Sequence, residues 1–158
     1  FGKGVSTTMN QEVTATALAY GIHRSNDFDR EKPMSVAFCS MGRSIFSVSI
    51  VQFVRGKLRV LSETSDRVGG RDMDECLMRE FAAQFKKKVN CDPLTNEKVA
   101  FKLEDAVTKC KEVLGGNREV DMSVECLMED EDFHSQMGRE DFEKKCAPLM
   151  ERCRAVLQ

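Results

Sequence analysis

The sequence predicts a mixed α/β domain in which helices cover a three-strand antiparallel meander and a further strand pair. Apolar residues alternate with polar ones in two separate stretches, Ile45–Phe53 and Val120–Met128. Elsewhere they recur every three to four residues, and breaks at Gly69-Gly70, Pro93, Gly115-Gly116 and Gly138 separate the two kinds of pattern. The order that follows is helix, three strands, two helices, two strands, helix.

At 158 residues the chain has the size of one domain, and a domain of that size hides roughly two thirds of its unfolded surface. Hydrophobic residues at 41% and charged ones at 32% describe a globular protein rather than a disordered one. Lys and Arg number 24 against 26 Asp and Glu, so no basic footprint for nucleic acid exists. No apolar run has the length of a membrane span, and the first residues do not form a charged start followed by a hydrophobic secretion segment. A cytoplasmic location is therefore expected. Residues 1–8, FGKGVSTT, read either as an appended remnant or as the mobile end of the natural chain, with the domain itself over 9–158.

The elements follow in order. In Glu12–Ile22 the residues Ala15, Leu18 and Ile22 fall at helical spacing, and the polar loop that follows ends at Pro33. Strands are expected at Ser35–Cys39, Ile45–Phe53 and Lys57–Glu63, the last two joined as a hairpin across Arg55-Gly56. In the middle strand Phe46, Val48 and Ile50 share one face, and Ser47 and Ser49 the other. Met73, Leu77, Phe81 and Phe85 mark an amphipathic helix ending at Lys86–Lys88. Val99, Leu103, Ala106, Val107, Cys110 and Leu114 mark the next, which stops at Gly115-Gly116. Alternation returns with Val120, Met122, Val124, Cys126 and Met128 on one side. After the acidic turn Glu129–Asp132, a return strand carries Phe133, Ser135 and Met137. The last helix follows Gly138 and turns Phe142, Cys146, Leu149, Met150, Cys153, Val156 and Leu157 inward.

The chemistry-bearing candidates are few. Seven cysteines contain no Cys-x-x-Cys pair, and neither His23 nor His134 stands at metal-ligand spacing from them, so they read as small buried hydrophobes. No metal site is expected. The turn Ser40–Ser44 between two strands suits phosphate oxygens, because successive backbone N–H groups can point into one concavity there and Arg43 adds charge; as a plain turn, Gly42 merely reverses the chain. Gly69-Gly70 either cradles an anion at the following helix start or only links strand to helix. Lys111 either contacts a ligand or snorkels to solvent. No Ser-His-Asp set and no carboxylate pair beside a nucleophile are present, so no catalytic residue is assigned.

Read together, these runs resemble the heat-shock protein 70 superfamily, and its heat-shock protein 110 branch in particular. EVTATALAYGI is similar to that family's Glu-Pro-Thr-Ala-Ala-Ala-Leu-Ala-Tyr-Gly helix, and VAFCSMGRSIFSVSI falls where it has a phosphate loop, Asp-Leu-Gly-Gly-Gly-Thr-Phe-Asp-Val-Ser. VGGRDMDECLMREFAAQFKKK is similar to its Leu-Gly-Gly-Glu-Asp-Phe-Asp segment, and LEDAVTKCKEVL continues the match. The resemblance implies lobe II of an actin-like (ribonuclease H-like) ATPase domain, with the first lobe before Phe1 and an adenosine loop after Gln158. It implies that Glu12, Gly42, Arg43, Ser44, Gly69, Gly70 and Lys111 face ATP or ADP, with magnesium as an accompanying ion, in the intact protein. No tightly held ligand is expected in this chain alone.

The departures from the family pattern bear on turnover. The family's acid beside magnesium falls at Ser40, two loop glycines become Arg43 and Ser44, the loop threonine becomes Ile45, and Val13 replaces a proline. Around adenine Lys111 is kept, whereas the glutamate, arginine and serine become Thr108, Glu112 and Gly115. The leading expectation is a nucleotide-exchange co-chaperone that grips the heat-shock protein 70 nucleotide-binding domain and holds unfolded proteins through other domains, with contacts on the exposed faces of Asp72–Lys88 and Asn96–Leu114. An ATP-hydrolysing chaperone with displaced catalytic groups, and a ligand-free structural module, remain as alternatives.

Overall fold

A computed structural model describes residues 12–158; the reading of residues 1–8 lies outside them. The elements are α1 (Glu12–His23), β1 (Met34–Met41), β2 (Phe46–Val54), β3 (Lys57–Asp66), α2 (Gly70–Val89), a 3-10 turn (Pro93–Thr95), α3 (Glu97–Gly116), β4 (Glu119–Met128), β5 (Glu131–Gly138) and α4 (Arg139–Val156). They form an antiparallel sheet of order β1-β2-β3 and a second, two-stranded sheet, β4-β5. This is the element order that the periodicity predicts.

The central strand β2 packs on both faces. Val51 and Phe53 join Val13 and Ala17 of α1 and Phe28 of the following loop, with Val36, Phe38 and Leu58 around them. Phe28 stacks on Phe53 at 5.0 Å between centroids, and Tyr20 meets Phe38 edge-on at 5.5 Å. Phe46 and Val48 face the other way, onto Val68 and Cys153. A single apolar face of Phe46, Val48 and Ile50 was expected; instead Ser49 is buried and Ile50 only half-buried. The strand is sandwiched at both ends by different helices, so alternation identifies two faces but not which is wet.

The stripe expected on α1 is also corrected. Val13 and Ala17 are buried, whereas Leu18 is 41% and Ile22 71% exposed. An alanine-rich helix offers little apolar contrast, and the aromatic group of Phe28, Phe38 and Phe53 settles its rotation by drawing in Tyr20.

The larger core lies under α2 and α3. Leu77, Phe81 and Phe85 of α2 and Leu103, Val107, Cys110 and Leu114 of α3 close on Met122, Val124, Leu127, Phe133 and Met137. Phe133 sits edge-on to both Phe81 and Phe85. Cys126 was expected on this face, but it is exposed and Leu127 is buried in its place. The cause is a local break in pairing between Val124 and Met128, with Cys126 at a left-handed φ of 43°. Asp132 accepts from the Cys126 N–H at 2.7 Å, and Lys102 Nζ donates to the Glu125 and Cys126 carbonyls, so the bulged peptides keep partners.

Along α4, Cys146 and Cys153 are buried and Phe142, Leu149 and Val156 half-buried. Met150 and Leu157, expected inward, are 39% and 58% exposed. Each follows an inward residue by one position, about 100° around the helix, and both members of such a pair cannot face one narrow contact. All seven cysteines are free thiols. The small-hydrophobe reading fits Cys110, Cys146 and Cys153; Cys39 and Cys126 are exposed. Burial raises the Cys146 thiol to about 12, which makes it a poor nucleophile. No helix among the described residues is long and apolar enough to cross a membrane.

Ion pairs tie α4 to the rest. Arg152 holds Asp66 through two bonds of 2.9 Å, and Lys145 meets Glu80 of α2 at 2.8 Å. The Arg152 guanidinium holds the Asp66 carboxyl below its ordinary value, and the Lys145 ammonium and then the Gln84 amide do the same for Glu80. A depressed folded-state value means that the stabilisation is complete above the ordinary carboxylate pKa and is lost as pH falls through the folded value. Urea melts should therefore show stability falling as pH drops below about 4, with a shallower fall in Asp66→Asn/Glu80→Gln. An equal slope in that variant would exclude these pairs as the source. The β4–β5 turn places Glu129 and Asp130 at φ of 53° and 57°, the backbone that Asn-Gly favours. Glu129→Asn/Asp130→Gly is expected to raise unfolding free energy by about 1 kcal/mol, measured in the same melts.

Candidate functional site

Six of the seven candidate residues, all but Glu12, converge where the β1–β2 loop meets the start of α2. Gly70 N–H donates to the Gly42 carbonyl at 3.0 Å, and Arg71 N–H to the Arg43 carbonyl at 2.8 Å. Gly69 fits beneath the loop: a Cβ on it would lie 2.5 Å from the Arg43 carbonyl carbon and oxygen and 2.6 Å from Ser44 N. Its backbone is extended, with φ of −163°, so close approach rather than an unusual dihedral requires glycine here. Asp72 completes the cap by accepting from Gly69 N–H at 2.8 Å.

These bonds occupy the backbone donors at Gly69-Gly70. The N–H groups of Gly69, Gly70, Arg71 and Asp72 all have protein acceptors, so the start of α2 is a clasp on the loop rather than an open anion cradle. The free donors lie in the loop. Gly42 N–H is held by the Ile45 carbonyl at 2.9 Å, whereas the N–H groups of Arg43, Ser44 and Ile45 have no acceptor among the described residues. Gly42, Arg43 and Ser44 are exposed.

Lys111 reaches the clasp from α3. Its Nζ lies 2.6 Å from Asp74 Oδ1 and donates to the Gly70 carbonyl at 3.2 Å. The Asp74 contact is one of charge rather than a well-aligned hydrogen bond, since that oxygen gains no bonded partner. Asp74 is 3% exposed, and the pair holds the ammonium against the start of α2 rather than in open solvent. Two turns earlier on α3, Glu104 accepts from Arg43 Nη2 at 2.9 Å. Arg43 thus ties the loop to α3 by charge, and Lys111 ties α3 to the start of α2. Thr108, on the same side, is half-buried, while Glu112 and Gly115 are exposed.

Glu12 stands at the other end. Its Oε1 accepts from Ser40 Oγ at 2.9 Å, at the C-terminal end of β1. Around the pair, Thr16, Ser47 and Ser49 line a small cleft of about 170 Å³, in which the Ser49 hydroxyl is buried without a hydrogen-bond partner. Sequence reasoning missed Asp74, Glu104 and this group of hydroxyls. Asp74 carried a signal, an acid three residues before Leu77 on the buried stripe of α2; the cleft carried none, since its members come from α1, β1 and β2.

The fold is that of a lobe of the actin-like class, and the chain belongs to the Hsp70 protein family, whose profile matches residues 4–158. It is 41% identical over 140 residues to heat shock 70 kDa protein 16 of Arabidopsis thaliana, covering 88% of this chain and 18% of that one. It is 37% identical over 150 residues to the 97 kDa heat shock protein of Mesocentrotus franciscanus, covering 93% and 17%. With heat shock 70 kDa protein 4L of Homo sapiens the identity is 38% over 151 residues, covering 93% and 18%. The chain therefore spans about a fifth of the length of these relatives.

The family implies a nucleotide and magnesium, and the residues fit the two unequally. Three free N–H groups and the Arg43 guanidinium suit phosphate oxygens. Magnesium at a nucleotide takes one or two carboxylates besides phosphate oxygens and water. Among the described residues the carboxylates about the loop are already engaged, Glu12 by Ser40, Glu104 by Arg43, Asp72 by the Gly69 N–H and Asp74 by Lys111, so the donor set does not fit the metal. Two substitutions test the clasp. Gly69→Ala is expected to lower stability by about 2 kcal/mol or more, because backbone must move. At Gly70 an added Cβ would meet the Lys111 Nζ at an ordinary 3.5 Å, so Gly70→Ala should stay within about 0.5 kcal/mol of wild type in the same denaturant melts.

Proposed function

We propose that the chain is lobe II of the nucleotide-binding domain of a heat-shock protein 110-type co-chaperone. It would bind ATP or ADP in the intact protein, grip a heat-shock protein 70 nucleotide-binding domain in the cytoplasm and speed release of its ADP. Unfolded proteins would be held by parts outside this chain. The observation that carries this reading is the β1–β2 loop, which keeps outward donors for phosphate yet has a serine, tied to Glu12, where a hydrolytic site needs a free acid. Binding without efficient turnover is what a clamp for a partner requires.

The roles of the side chains follow from their positions. Loop N–H groups and Arg43 would take phosphate oxygens, and Lys111, braced by Asp74, would keep a positive charge beside them. A bound nucleotide supplies the negative charge that draws the two lobes of such a domain together. The partner would meet the outer faces of α2 and α3, where Phe101 of α3 is 63% exposed and Leu94 of the intervening 3-10 turn 41%. Exposed aromatic residues of that kind serve as interface anchors.

The test is release of labelled ADP from a heat-shock protein 70 partner, with the full-length protein and with this chain in parallel. Acceleration by the full-length protein, reduced about tenfold or more in Phe101→Ala, is expected. Acceleration by the chain alone would assign the gripping surface to this lobe. No acceleration by the full-length protein would overturn the exchange reading.

A further inference from the structure

We infer that the β1–β2 loop binds a nucleotide's polyphosphate without a divalent cation, Arg43 supplying the positive charge that a metal would otherwise supply. This rests on the nucleotide-binding part of the function proposed above. It concerns what balances the phosphate charge.

The backbone of the loop is aimed for an anion. In a trans peptide the C=O of one residue and the N–H of the next point in opposite directions. The Gly42 and Arg43 carbonyls both point into α2, where they accept from Gly70 and Arg71. The N–H groups of Arg43 and Ser44 must then point away from α2, towards the open side. The clasp that closes the start of α2 is thus what orients the loop's donors outward.

The side chains complete the charge balance in the same sense. Ser40 is neutral and donates to Glu12, and the other carboxylates about the loop, Glu104 and Asp72, are engaged by Arg43 and by the Gly69 N–H. Arg43 and Lys111 occupy the neighbouring Glu104 and Asp74, so neither carboxylate stands open to a divalent cation. A guanidinium is always charged and fits two phosphate oxygens at once. Arg43 is held ready: its side chain is 66% exposed and rests on Glu104, itself 29% exposed, through one contact of 2.9 Å. Exchanging that single exposed contact for phosphate oxygens costs little, since exposed ion pairs contribute about 1 kcal/mol or less.

The experiment is titration calorimetry of the full-length protein with ATP, once in magnesium and once in EDTA. The expected dissociation constants agree within about threefold, and in EDTA Arg43→Gly weakens binding about tenfold or more. Glu104→Gln, which frees the guanidinium, should tighten binding in EDTA, and thermal melts check that each variant is folded. Binding that weakens more than about tenfold on chelation, or an Arg43→Gly variant that binds ATP as wild type does, overturns metal independence and leaves nucleotide binding standing. Absence of binding in both buffers overturns nucleotide binding as well.

Discussion

The two backbone hydrogen bonds from the start of α2 to the Gly42 and Arg43 carbonyls, and the bare Cα of Gly69 beneath them, hold together parts of the chain that have separate cores. On one side is the meander under α1; on the other are α2, α3 and the β4–β5 pair. The loop is shaped by the meander, yet its orientation is fixed by the helix. The clasp also determines which donors face solvent and how Lys111 and Glu104 reach the loop's flanks. Remove the close approach at Gly69 and the site loses its frame before any charged group is touched.

Charge around this frame is arranged with unequal stringency. Asp74 and Lys111 are screened from water, and their pairing fixes where an ammonium stands. Arg43 and Glu104 are wetter, and their pairing holds a guanidinium without committing it. Glu12 and Ser40 form a third arrangement, in which a hydroxyl engages the acid.

Much of the fold was legible because long segments with strong periodicity state their own geometry. Leu77, Phe81 and Phe85 on α2, and Leu103, Val107, Cys110 and Leu114 on α3, were read correctly since each stripe contrasts with a polar remainder. Legibility failed where contrast was low or where a local irregularity intervened. The alanines of α1 do not reveal which way it faces; Tyr20 and its aromatic neighbours do, from three separate segments. The left-handed Cys126 shifts the inward positions of β4 by one, and nothing in VDMSVECLM announces it. The seven candidate residues came from turn chemistry and family likeness. Asp74 and Glu104, which fix the charges of Lys111 and Arg43, depend on how α2 and α3 lie against the loop, and that is a property of packing.

The separation of the cores has a consequence for how the molecule opens. Val51, Phe53, Val13 and Ala17 belong to one cluster, and Leu77, Phe81, Leu103 and Phe133 to another. Between them run chiefly the loop clasp and the contacts of α4. Clusters joined so narrowly behave as separate cooperative units in native-state hydrogen exchange, each with its own opening free energy. Amides of β2 near Val51 would form one exchange class and those of α2 and α3 another. The Gly70 and Arg71 amides, bonded across the seam, would exchange with whichever unit opens first. They are internal reporters of the weaker half.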